Sequence, residues 1–162
     1  MTNELIALIA NIALTLSFIV ALIFGIAQVK AAARDRRERL TLETLRNFQT
    51  REFAELIQHM VSRKMPSTRE ELYALPANEQ VMFIQLSQQM ESLGLLVAEG
   101  LIDIELVDKT LGSFVTDAWG KYRKVFLDIR EKQPDPFLGE YFQWLAKRIE
   151  ERMKKHPRKP FR

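Results

Sequence analysis

The residues able to do chemistry are few and scattered. Only two histidines occur, His59 and His156, and there is no cysteine. Glu55 and His59 stand four apart, so one helix face would carry both. A metal site needs three or four ligands, and a di-iron bundle needs Glu-x-x-His on two helices. One pair is not a site, and His59 is expected as a surface or half-buried residue. A Ser–His–acid arrangement would have to recruit His59 or the histidine of the tail. Ser87, Ser92 and Ser113 all sit in helical patterns, without the strained strand-to-helix turn that exposes a hydrolase serine. The six glycines are dispersed, which leaves no phosphate-cradling loop. Glu70/Glu71 and Glu99/Asp103 read as caps and solvated faces. No catalytic residue, cofactor or metal is expected; the chain reads as a non-enzyme.

What the sequence does specify is an apolar run around which the rest is arranged. Leu5 to Val29, LIALIANIALTLSFIVALIFGIAQV, holds 25 residues without a charge, and its clearly polar members are Asn11, Thr15, Ser17 and Gln28. A helix rising ~1.5 Å per residue crosses a ~30 Å hydrocarbon core within that length. In lipid an isolated apolar segment satisfies its backbone only as a helix. A cleaved signal peptide would have a basic start and an apolar run of roughly 7–15 residues. Here the start is Met1-Thr2-Asn3-Glu4 and the run is longer. A core helix apolar on every side is also rare in a small soluble domain. Residues 5–29 are thus expected to be a transmembrane helix, with residues 1–4 outside.

Lys30, Arg34, Arg36, Arg37 and Arg39 follow the run, and bases beside a span stay on the cytoplasmic side. The expected topology is single-pass, N-terminus out, with Lys30 to Arg162 in the cytoplasm. The lack of cysteine fits a domain built without disulfides. Within the run, Ala13, Ser17, Ala21 and Gly25 repeat every fourth residue. Such a small-residue stripe lets helix backbones approach closely, either in self-association or on another membrane subunit. Small residues are common in membrane helices, so chance spacing stays open.

Charge is uneven beyond the run. Residues 30–39 carry a net +3 and residues 147–162 a net +6, against +3 for the whole chain, so the body between is acidic. Lys154, Lys155, Arg158, Lys159 and Arg162 form a basic tail. A solvated tail is the plainest reading, anionic lipid the next and nucleic acid the last.

From Lys30 to Met65 there is no Gly or Pro, and Leu42, Leu45, Phe53, Leu56 and Met60 recur at helical spacing, widened by Phe48 and Ile57. This predicts a stalk helix over residues 30–65, continuous with the span except for a bend near Thr41. Pro66 ends it, and Ser67-Thr68-Arg69-Glu70 reads as a capping box for a short helix over 68–74. Pro76 opens the next helix, with Val81, Ile84, Leu86, Met90, Leu93 and Val97 facing a core and Gly100 as a left-handed cap.

Asp103 is placed to cap a longer helix whose stripe is Ile104, Val107, Leu111, Phe114, Val115, Ala118, Tyr122, Phe126 and Ile129. Asp135 and Pro136 would open the last helix, with Phe137, Tyr141, Phe142, Leu145, Ile149 and Met153 inward. Trp119 and Trp144 fall on or beside these stripes, as core or interface residues. Arg123 and Arg130 share a face, where Arg123 could pair with a neighbouring acid. Residues 156–162 are expected to fray. The expected fold is all-α: a transmembrane helix, a helical stalk, then a cytosolic domain of four to five helices over residues 66–155.

At ESLGLLVAEGLIDIELV (91–107), DAWGKYRKVFLDIR (117–130) and YFQWLAKRIEE (141–151) the chain resembles a family of small bacterial membrane-anchored proteins, classed only as a domain of unknown function. The resemblance covers roughly residues 30–155. It implies a single N-terminal span, a basic juxtamembrane helix and a compact helical domain, and it implies no catalytic or ligand residue.

Together these readings predict a single-pass protein of the bacterial inner membrane. Its expected role is a membrane-anchored cytosolic interaction or scaffold module that self-associates through span and stalk. The alternative is an accessory single-span subunit of a larger membrane complex, its stripe packed on foreign helices. A membrane-linked stress or phage-defence effector is a third, suggested only by small size and the polar span residues. The expected partners are the bilayer and itself or another membrane protein; no nucleic acid or small-molecule substrate is expected.

Overall fold

The computed structural model describes residues 2–132 and 135–157, which are helical and contain no strand. The chain divides into two compact units, Met1–Arg39 and Leu40–Arg162. Helix α1, Thr2–Arg46, supplies the first unit and opens the second. Every described residue of the first unit is exposed, including the whole apolar run. Thr15 satisfies its own hydroxyl by donating to Asn11 O at 2.8 Å, a bond that stays within the helix.

The second unit holds the end of α1, then α2 (Arg51–Ser62), α3 (Arg69–Tyr73), α4 (Ala77–Ala98), α5 (Ile104–Lys132) and α6 (Glu140–Lys155). Here α4 packs against α6 and α2, while α5 packs against α6, α3 and α2. The core joins Phe53, Leu56 and Met60 of α2 to Leu86 and Met90 of α4, Val115 and Tyr122 of α5, and Phe142, Leu145 and Ile149 of α6. Aromatic rings fill its centre. Phe83 stacks on Tyr122 at 4.4 Å, and Phe142 meets Trp119 and Phe126 edge-on at 5.2 and 6.2 Å. Burial in this stack pushes the Tyr122 hydroxyl pKa up.

The continuous stalk expected over 30–65 is not what forms. α1 stays helical through Thr41 and stops at Arg46, and α2 starts afresh at Arg51. Amides of Asn47, Phe48 and Gln49 bond three residues back, which tightens the last turn, and the Thr50 hydroxyl accepts from Phe53 N at 3.2 Å as an N-cap. The turn sets Phe48 edge-on to Phe53 at 5.1 Å, which a straight helix would not do. Thr41 itself is fully buried, and its hydroxyl accepts from Asp103 N at 2.9 Å. The residues from Leu40 onward therefore belong to the bundle.

Other elements follow their local chemistry with small shifts. Gly100 takes φ +69° after α4, and Asp103 accepts from Glu105 N at 2.7 Å, both as expected. The capping box lies one residue later than read. Thr68, not Ser67, accepts from the amide of Glu71, whose carboxylate reaches back to Ser67 N at 2.7 Å. Helix α6 begins at Glu140 rather than Pro136: Asp135 accepts from Phe137 N in a turn, and Gly139 at φ +71° leads into the helix. A side chain at Gly139 would run into the Phe126 ring. Gln133, Pro134 and the tail residues 158–162 lie outside the described residues, and with them most of the segment expected to fray.

α3 is short, seated on the core by Leu72 and tied to α5 by charged groups. Arg69 N donates to Asp128 Oδ2 at 2.8 Å, and Lys132 bridges Glu70 at 2.8 Å and Asp128 at 2.9 Å. The Arg69 amide and then Lys132 hold the Asp128 carboxyl below its usual pKa, Lys132 does the same for Glu70, and the two acids raise Lys132. A depressed carboxylate adds stability above its unfolded pKa and loses it as pH falls through the folded value. The raised lysine acts oppositely, losing its contribution as pH climbs past about 10. α3 is therefore expected to loosen below about pH 4 and again in strong base. Asp128→Asn should raise amide exchange across 69–73 several-fold at neutral pH and flatten the acid response. Hydrogen–deuterium exchange corrected for intrinsic rates measures both.

Candidate functional site

The few residues with chemical potential do not converge. Glu55 turns to Arg51 at 2.8 Å, so the Glu55/His59 pair is not assembled. His59 is half-buried, with Nε2 3.9 Å from Glu79 Oε2, and the other Glu79 oxygen accepts from Arg63 Nη1 at 2.7 Å. This is a tie between α2 and the start of α4. Lys121 adds another by donating to Met60 O and Val61 O at the end of α2. Ser87 donates to Phe83 O at 2.7 Å within its helix, while Ser92 and Ser113 are exposed. No group of three His, Cys, Asp or Glu able to hold a metal forms among the described residues. Arg130 is structural, donating to Leu138 O and Gln143 Oε1 at 2.7 Å each, while Arg123 is exposed on α5.

Surfaces are what the arrangement offers instead. Ala13, Ser17, Ala21 and Gly25 are all exposed on α1, and a Cβ added at Gly25 would meet nothing within 4 Å. Lys30, Arg34, Arg36, Arg37 and Arg39 lie in the exposed turns beyond the run, where Arg34 bonds Glu38 at 2.8 Å. Lys154 and Lys155 are exposed in the last turn of α6, where cations favour the carbonyl end; Arg158, Lys159 and Arg162 fall outside the described residues.

On the bundle, a groove of about 360 Å³ opens where α1 gives way to α2, lined by Leu45, Phe48, Phe53, Ile57, Leu111 and Phe114 among others. A second notch of about 300 Å³ lies beside α4, ringed by Thr44, Asn47, Gln85, Gln88, Gln89 and Ser92 over an apolar floor. Neither is lined by a charged residue. Both combine apolar side chains with amides and hydroxyls, Gln49, Gln58 and Thr110 in the first and Thr44 and Ser92 in the second.

Several stripe residues read as core face outward. Leu42, Val81, Ile84, Phe114 and Phe137 are exposed, whereas Phe83 and Val125 fill places the spacing did not assign, and Trp119 is buried as a core residue. Trp144 sits at the rim of α6, partly exposed. Glu79 and Glu91 were missed as structural groups. Glu91 reaches from α4 to accept Phe142 N at 2.8 Å and Tyr141 N at 3.3 Å, the open amides of α6.

Residues 15–149, from the second half of the apolar run into α6, match the family model of a domain of unknown function, DUF4760. The chain belongs to the DUF4760 family. The DUF4760 match takes in the groove, the α4 notch and two members of the tight α4–α6 contact, Gly94 and Tyr141, so these belong to the family's domain rather than to an appended segment. No curated protein and no solved structure matches the chain.

Proposed function

We propose that this DUF4760 protein is a membrane-anchored interaction or scaffold module of the bacterial inner membrane, with its helical unit in the cytoplasm and with self-association through its span. One observation carries the reading: residues 2–39 form a helix long and apolar enough to cross a bilayer, and none of their side chains is buried by the protein itself. A helix that exposes 25 uncharged residues needs lipid or another protein to cover it. The bases of residues 30–39 support the orientation by the positive-inside rule, and the resemblance noted from residues 91–151 supports the bacterial source.

The same stripe would equally serve an accessory subunit that packs on foreign helices, and one experiment separates the readings. The full chain is extracted in mild detergent and examined by native mass spectrometry and amine cross-linking. Anchoring requires the full-length mass in the membrane fraction; a shortened chain in the soluble fraction would mark a removed leader and end the proposal. Replacing Ser17, Ala21 and Gly25 together by Leu should cut the cross-linked dimer about tenfold, equivalent to ~1.4 kcal/mol of association. A wild-type chain found only as a monomer, or only with a different polypeptide that the triple variant releases, would replace the scaffold with the accessory subunit.

A further inference from the structure

The solvent face of α4 carries no charge. Every exposed residue from Ala77 to Ala98 is neutral, in a chain that is 28% charged. The two acids of the helix are turned away: Glu79 is buried against Arg63, and Glu91 caps α6. Val81, Ile84, Gln85, Gln88, Ser92 and Leu95 lie within about 100° of one another around the helix, a single stripe at ~100° per residue. The exposed faces of the other bundle helices interleave acids and bases in the ordinary way, as Glu105 with Lys109 on α5 and Arg148 with Glu151 on α6. Depletion of charge with apolar residues at the centre is what distinguishes an interface from general surface.

We propose that this α4 face docks on the same face of a second copy of the chain, in antiparallel register about Gln88; the inference rests on the self-association proposed above. Three observations select that occupant. First, the stripe is complementary to itself: a primary amide both donates and accepts, so Gln88 can pair with Gln88, whereas a charged partner would find nothing to neutralise.

Second, the stripe carries a protrusion and a recess. Val81 and Ile84 stand 59% and 49% exposed at one end, and the 300 Å³ notch ringed by Gln85, Gln88, Gln89 and Ser92 lies at the other. With Gln88 on the two-fold axis, Ile84 of each copy faces Ser92 of the other, which sets it at the notch, and Val81 faces Leu95. A two-fold contact needs this pairing of a patch with itself.

Third, the face is small. A strip ~33 Å long and ~10 Å wide offers on the order of 300 Å² per copy, against roughly 800 Å² per partner in freely formed complexes. Such a contact holds only when the partners are already tethered, and two copies joined through their spans meet at an effective concentration on the order of millimolar.

Because the chain lacks cysteine, the test can be made on the full protein in native membranes. Gln88→Cys places a thiol on the axis, and mild oxidation should give a disulfide dimer at least tenfold above that of Lys124→Cys, an exposed position on α5. Gln88→Lys and Gln88→Glu should each lower the dimer fraction seen by native mass spectrometry, and co-expression of the two should restore it. A Gln88→Cys yield no higher than that of Lys124→Cys in a wild-type dimer overturns the docking face and leaves self-association standing. Disulfide capture of a different polypeptide at position 88 also overturns it. A wild-type chain that is monomeric in membranes removes both.

Discussion

Replacing Phe142 by alanine is expected to lower the unfolding free energy by about 3–5 kcal/mol, the usual range for an aromatic ring deleted from a packed core. Phe142 is fully buried and stands edge-on to both Trp119 and Phe126, themselves nearly inaccessible. Neither ring can turn into the space without abandoning its own contacts, so the cavity should stay open and the loss fall in the upper part of that range. Against a total of roughly 5–15 kcal/mol, this is a third of the stability or more. Urea unfolding of the full chain in detergent, followed by helical circular dichroism, reads the change. The emission of Trp119 supplies a local check, since loss of Phe142 should admit water and shift it to the red. A loss under about 1 kcal/mol would mean that α6 is not packed on α5 as described.

The second large effect concerns two glycines whose sequence settings look alike. Gly94 and Gly120 both sit inside long helices, where alanine gains up to ~1 kcal/mol of helix propensity. At Gly120 an added Cβ meets nothing within 4 Å, so Gly120→Ala should stabilise by about 0.5–1 kcal/mol. At Gly94 the Cβ would overlap the carbonyl oxygen of Tyr141 and stand 2.6 Å from its carbon. Backbone cannot rotate aside as a side chain can, so α4 and α6 would have to part, weakening the Glu91 bonds to the first turn of α6. Overpacking of this kind costs about 1–3 kcal/mol. With the propensity gain set against its upper end, Gly94→Ala should destabilise by about 2 kcal/mol. Thermal unfolding of the two variants side by side tests this; equal signs would refute the close α4–α6 approach.

Local chemistry made part of the fold legible. Gly100 and Asp103 behave as their types dictate because a left-handed turn and a first-turn acceptor are decided within a few residues. Where two adjacent residues could serve equally, as Ser67 and Thr68, the choice fell one place over, because Asp128 and Lys132 of α5 take Arg69 N and Glu70. The break at Asn47–Thr50 was harder to see. No Gly or Pro marks it, and it depends on Phe48 finding Phe53 and on Thr41 reaching the start of α5.

The uncharged face of α4 was hidden by the rule that finds cores. Val81 and Ile84 stand at helical spacing with Leu86 and Met90, so period alone assigns them inward. The structure turns Phe83 and Leu86 to the core and leaves Val81 and Ile84 outside, and only then does the missing charge on that side become visible. Glu79 and Glu91 were unreadable for the converse reason: a buried carboxylate is tolerable only beside partners that lie far away in the chain. The apolar stripe of α1 and the bases after it needed no tertiary information and were read directly from residues 5–39.

The Glu91 cap also sets an order of assembly during synthesis. Until residues 139–142 have left the ribosome, the acid at the middle of α4 has no amides to receive it, and the groove that Gly94 opens for α6 stands empty. The α4–α6 contact is therefore among the last parts of the bundle able to form, whatever packing α2 has already made with α4 and α5.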